Sequence, residues 1–159
     1  VISREKEHAK TLADEMGASY SDFTGKPDTD ADMFILAIAD QAIDHFFTSF
    51  GIGNKLIVHT AGSVPIDALS KMSANYGVLY PLQSLRKEMH IIPPIPFLVD
   101  GNSEDVALFV EEFAKTISSS VKRAGDDERL KLGSTLGVGK PQLEIITVYM
   151  RYEQFFESN

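Results

Sequence analysis

Apolar residues recur along this chain in two rhythms. The stretches 32–40 (DMFILAIAD), 56–60 (LIVHT), 76–81 (YGVLYP) and 95–101 (IPFLVDG) are short, nearly unbroken apolar runs bounded by aspartate, glycine, proline or small polar residues. Runs of this kind fit strands covered on both faces, as in a parallel sheet. Between them the spacing becomes helical. Segment 5–16 carries Ala9, Leu12, Ala13 and Met16 on one face, with Ser3 placed as N-cap and Gly17 as the stop. Segment 41–50 carries Ile43, Phe46, Phe47 and Phe50, and GIGNK breaks it. Segment 103–118 is the clearest helix. Ser103 is its cap, Val106, Phe109, Val110, Phe113 and Ile117 form its stripe, and Glu111 and Glu112 lie on the solvated side.

Ser63 could cap a short helix running to Met72, with Pro65 tolerated in its first turn. TGKPDTD (24–30) reads as a loop and SVKRA as a short strand. Strands alternating with amphipathic helices predict an α/β fold, a mostly parallel sheet with helices on both faces. The composition breaks at Gly133, dividing a body (1–132) from a glycine-rich linker and tail (133–159). In that tail LEIITVYM (143–150) is β-branched enough for a strand. A helix through Ile145, Ile146, Tyr149, Tyr152 and Phe156 fits the same residues.

Composition narrows the function classes. The 159 residues carry 23 acidic against 15 basic side chains, a net charge of -8, which argues against an extended nucleic-acid surface. There is no cysteine, so disulfides, thiolate metal sites and cysteine nucleophiles are excluded, and a cytoplasmic location is expected. No apolar run approaches the ~18–20 residues of a membrane span. His8, His45 and His90 are scattered, and no metal site is expected from them. The chain opens with VISRE, which resembles the end of a strand and suggests a start inside a larger protein.

In an open α/β sheet, ligands lie beyond the carboxyl ends of the strands. Four such ends are rich in small, polar or charged residues: Ser3 and Arg4, Ala37 to Asp40, His59 to Ser63, and Tyr80 to Gln83. Two tempting motifs fail. GSTLGVGKP has one residue too many for a phosphate-binding loop, and Pro141 stands where a serine or threonine would hold magnesium. HTAGSVP lacks the second glycine of a nucleophile elbow, so Ser63 is not read as a nucleophile.

VISREKEHAKTLADEMGA resembles the second strand and helix of an NADP-binding Rossmann domain. LIVHTAGSVPIDALSKMSANYGVLYPLQS closely resembles bacterial Rossmann-like proteins classed as NADP oxidoreductases, which carry a C-terminal domain of unknown function. More distantly it is similar to pyrroline-carboxylate reductase and the phosphogluconate dehydrogenase superfamily. The similarity covers roughly residues 1–132, with HTAGS and YGVxYPLQ its most specific strings.

The resemblance implies NADP as cofactor, a small-molecule substrate and a homodimeric parent protein. It places Ser3 and Arg4 at the adenosine ribose, where a guanidinium suits the 2′-phosphate. Ala37, Ile38, Ala39 and Asp40 would border the dinucleotide. His59 and Thr60 would approach the nicotinamide, while Gly62 and Ser63 would open a helix whose amides favour negative charge. Tyr80 and Gln83 would lie near the substrate, and His59, Tyr80 and Gln83 are the catalytic candidates.

Each role has a plainer counterpart: a solvated Arg4, a His59 held by a backbone hydrogen bond, a Tyr80 packed with its hydroxyl at the surface. The resemblance also implies a first strand and a GxGN turn that precede the residues of this chain. Without them the chain alone is expected to bind NADP poorly, and the tail strand is a candidate to fill the empty place in the sheet. A non-catalytic nucleotide-sensing or interaction module, or an inactive fragment of the parent enzyme, is the competing reading.

Overall fold

A computed structural model describes residues 1–22, 31–46, 52–83, 94–135 and 146–150. The elements are α1 (Lys6–Met16), β1 (Met33–Ala37), α2 (Asp40–Phe46), β2 (Leu56–His59), a 3₁₀ helix (Ile66–Leu69), β3 (Tyr76–Pro81), β4 (Phe97–Gly101), α3 (Glu104–Ile117), β5 (Val121–Arg123), α4 (Asp126–Thr135) and β6 (Ile146–Met150). They build one six-stranded sheet in the order β5-β4-β3-β2-β1-β6. The pairs β1–β2, β2–β3 and β4–β5 are parallel, whereas β3–β4 and β1–β6 are antiparallel. The predicted loop 24–30 and the positions Phe47 and Phe50 lie outside the described residues.

Side chains alternate across a strand, so the register sorts the sheet into two faces. One presents Met33, Val58, Leu79 and Val99, and it is covered by Val106, Val110 and Ala114 of α3. Gly101 makes this approach possible, because a Cβ there would stand 2.2 Å from the backbone nitrogen of Ala107. Ser103 caps α3 as predicted, its hydroxyl accepting from the amide of Val106. Of the predicted stripe, Ile117 departs, being 49% exposed. Glu111 is not merely solvated, since its carboxylate accepts from Arg123 of β5 at 2.5 Å and pairs with Lys115.

The opposite face presents Leu36, His59, Val78, Tyr80 and Leu98, as the pairings Leu36↔His59↔Val78 and Tyr80↔Leu98 require. Ile66 of the 3₁₀ helix and Leu132 of α4 pack on the Val78–Tyr80–Leu98 part of it. The first three residues of the predicted linker, Gly133 to Thr135, form the end of α4.

Two caps differ from expectation. The helix α1 begins after Glu5 with no side-chain cap. Ser3 lies too far upstream, and its hydroxyl accepts instead from the amide of Glu5. Ser63 caps nothing either, because the following helix is a single 3₁₀ turn that starts at Ile66 after Pro65. Gly17 does end α1, in the left-handed conformation at φ 63 that glycine adopts without steric cost.

The tail joins the sheet. Residues 146–150 are a strand, not a helix, and run antiparallel along β1 from Met33↔Met150 to Ala37↔Ile146. Far from β6 in sequence, Ile2 forms an isolated parallel bridge with Ser21, tied by the amide of Ser21 donating to the carbonyl of Val1 at 2.9 Å.

Candidate functional site

Because β1, β2 and β3 run parallel, their carboxyl ends meet along one rim. Three of the four predicted strand ends are therefore neighbours: Ala37 to Asp40, His59 to Ser63, and Tyr80 to Gln83. The amide of Thr60 donates to the carbonyl of Leu36 at 3.3 Å, carrying the β1–β2 ladder onto the rim. Beyond it the Ser63 hydroxyl donates to the carboxylate of Asp40, so the first residue of α2 clasps the loop after β2. The ring of Tyr80 packs against Gly62. A Cβ at Gly62 would come within 2.6 Å of the ring. Ala39 and Ser63 are exposed, and Thr60, Gly62, Leu82 and Gln83 are half-buried, so the rim is open to a ligand.

The fourth end stands apart in its described contacts. Ser3 is buried, and its hydrogen bonds among the described residues run to Glu5 and Ser21. Arg4 is exposed, with no ion pair among the described residues.

Beneath the rim lies a group of ionisable side chains facing α4. His59 is fully buried, and its Nδ1 accepts from the amide of Ala61 at 3.2 Å. That bond puts the proton on Nε2, which has no hydrogen-bond partner. The Pro65 carbonyl is near enough to favour the charged form, yet it makes no well-formed bond to Nε2. Burial, and then the charge of Arg129, push the imidazole down to about 4, so it is neutral at physiological pH. The contacts therefore match the plainer reading of His59, a strand-end histidine held by a backbone hydrogen bond.

Tyr80 is buried rather than surface-packed, at 3% exposure. Burial raises its phenol, Asp40 raises it further, and Arg129 opposes them. Its hydroxyl is therefore within electrostatic reach of both the rim carboxylate and the buried guanidinium. Gly133 of α4 also faces it, since a Cβ there would be 3.4 Å from the hydroxyl oxygen. Asp100, on β4, is likewise raised by burial against the pull of Arg129.

Arg129 organises this group, and sequence reasoning passed it over. It is 1% exposed. Its Nη2 donates to the carbonyl of Val64 at 2.5 Å and to Asp126 at 2.7 Å. Asp126 in turn accepts from the amide of Ile66, at 3.1 and 3.2 Å. This last contact corrects an expectation: the amide at the start of the helix after Ser63 is already taken by an internal carboxylate, so that end is no free anion site. The available signal was helical spacing, because Arg129 shares the i, i+3, i+4 face with Leu132 and Gly133. It was masked by Leu130, which a binary pattern sends inward and the structure leaves 55% exposed.

A crystal structure of a putative NADP oxidoreductase from Bacteroides fragilis matches with a TM-score of 0.73 at 28% identity, over 85% of this chain and 54% of that one. The fold is Rossmann-like. A protein from Thermotoga maritima matches with a TM-score of 0.65 at 18% identity, over 84% of this chain and 52% of that one, and carries the fold alone. The chain thus spans about half the length of both neighbours. No protein-family model and no curated protein matches it. Among the described residues no cluster of metal-ligating side chains occurs, and no helix is long and apolar enough to cross a membrane.

Proposed function

We propose that this chain is the dinucleotide-binding part of an NADP-dependent oxidoreductase that passes a hydride between nicotinamide and a small substrate. The observation that carries the reading is the convergence of three parallel strand ends on an open rim, where ligands of such sheets lie. The neighbour described as a putative NADP oxidoreductase supports the cofactor class.

The residues on the rim suit a dinucleotide. Ala37 and Ala39 present no bulk, and Gly62 presents none beside Tyr80. Arg4, exposed and without an ion pair among the described residues, is the candidate for the 2′-phosphate beside Ser3. Ile38, Asp40, Thr60 and Ser63 complete the cofactor border. The bound dinucleotide would supply the hydride, and the chain would orient it and the substrate. In this reading Tyr80 and Gln83 stand on the substrate side. His59, buried and neutral, acts as a hydrogen-bond donor through Nε2 rather than as a base.

The filled amide at Ile66 favours a second reading, a nucleotide-binding module without turnover, because it removes one anion contact from the rim. A fluorescence titration of the protein at full natural length separates the two. NADPH should bind more tightly than NADH, Arg4→Ala should erase the preference, and hydride transfer should follow with a suitable carbonyl or imine. Equal binding of NADH and NADPH would remove the role of Arg4. Tight binding with no transfer across a substrate panel would favour the module.

A further inference from the structure

The loop between β2 and the 3₁₀ helix is held from outside itself. The amide of Thr60 donates to Leu36 and that of Ala61 to the His59 ring, and there the ladder ends. Over Gly62, Ser63 and Val64, one hydrogen bond reaches the backbone among the described residues. It comes from Arg129, whose Nη2 donates to the carbonyl of Val64 at 2.5 Å. Two residues on, the amide of Ile66 donates to the carboxylate of Asp126 at 3.1 and 3.2 Å. Asp126 also accepts from Nη2 of Arg129 at 2.7 Å, so the two anchors are tied to each other. Nη2 carries two hydrogens, one for each of its acceptors. Between the anchors stands Pro65, which has no amide hydrogen to offer.

These contacts come from one side of α4. Asp126, Arg129 and Gly133 stand three and four residues apart, on one stripe of the helix. A Cβ at Gly133 would lie 3.4 Å from the Tyr80 hydroxyl, and a Cβ at Gly62 would lie 2.8 Å from the same atom. Loop, phenol and α4 therefore pack as one unit. Stability alone does not call for an arginine at 1% exposure, because a well-packed hydrophobic side chain of similar volume is often as good or better. A hydrophobic side chain cannot, however, donate to one chosen carbonyl and so fix the path of a loop.

We infer that Asp126 and Arg129 are positioning residues: from α4 they set the course of loop 61–65 and hold Gly62 and Ser63, beside Thr60, where the nicotinamide half of a dinucleotide meets the rim. The inference rests on the proposed reading, since it concerns how that rim receives its cofactor. The adenosine half is outside the clamp, because no contact among the described residues joins Asp126 or Arg129 to Ser3 or Arg4.

The test titrates the protein at full natural length with NADPH, followed by fluorescence, and with adenosine 2′,5′-bisphosphate, which lacks the nicotinamide half. Arg129→Met keeps most of the side-chain length without its donors. It should weaken NADPH about tenfold and the bisphosphate less than about twofold. Arg129→Lys, whose ammonium can still donate to Val64 and Asp126, should recover part of the loss. Asp126→Ala should show the same split between the two probes. Its side chain is 40% exposed, so its removal opens no buried hole and it carries the test should Arg129→Met fail to fold. Equal weakening of both probes, or an unchanged NADPH affinity in the folded variants, overturns the inference and leaves the oxidoreductase reading standing. Absence of NADPH binding by the wild type overturns both.

Discussion

Acidification should destabilise this protein through a single imidazole. Burial and the Arg129 charge hold His59 at about 4, against 6.5 for an ordinary histidine. Between those values the unfolded chain takes up a proton that the folded chain refuses, so stability falls as pH falls. The contribution is complete above 6.5, declines through the window, and levels off below about 4. Over the whole window the gap corresponds to about 3 kcal/mol, of which single-site linkage places about 2 kcal/mol between pH 7 and pH 5.

Asp100 works in the opposite sense. Its carboxyl is raised, so the folded chain binds that proton more readily and acid favours folding there. A difference measurement separates the two groups. Urea unfolding of wild type and His59→Asn, followed by circular dichroism at pH 7, 6 and 5, leaves Asp100 common to both. Asparagine is chosen because its side-chain oxygen can still accept from the amide of Ala61. The wild type should lose about 2 kcal/mol more than the variant on going from pH 7 to pH 5. Parallel pH profiles would show that His59 is either solvated or charged in the folded state, and the description of the buried group beneath the rim would be wrong.

Two further outcomes test the packing. Gly101→Ala should cost about 3 kcal/mol or more in chemical denaturation, since its Cβ would collide with the backbone of α3. Gly125→Ala, whose Cβ would meet only Asp100 at 3.9 Å, should be close to neutral. Removal of residues 141–159 should lower stability by on the order of 3–5 kcal/mol, at ~1 kcal/mol for each ladder hydrogen bond to β1, and an unchanged unfolding midpoint would place the tail outside the sheet.

Strands β1, β2 and β3 were legible because each is a short apolar run closed by small or polar residues: Asp40 after β1, Ala61–Gly62–Ser63 after β2, Leu82–Gln83 after β3. Ser103 was legible because a cap acts within three residues of itself. What escaped depends on partners distant in the chain. Asp40 and Ser63 are separated by 23 residues, and nothing local announces their bond. Asp126 is 60 residues from the Ile66 amide it caps, and it displaced the nearer candidate, Ser63. Arg129 escaped for another reason. Hydrophobic patterning assumes that leucine points in and arginine out, and α4 reverses both at positions 129 and 130. The tail showed its strand propensity but not its neighbour, because β-propensity carries no information about which edge a strand will join.

The pairing of Met33 with Met150 also has a bearing on biosynthesis. During translation β1 emerges long before the segment that covers its outer edge, and closing so long an interval is entropically slow. Until then a nascent chain presents a bare, apolar edge whose backbone groups can recruit a strand from another molecule. A growing chain would carry this misassembly-prone edge until Ile146–Met150 has left the ribosome, so the strand that completes the pairing also shields β1 during synthesis.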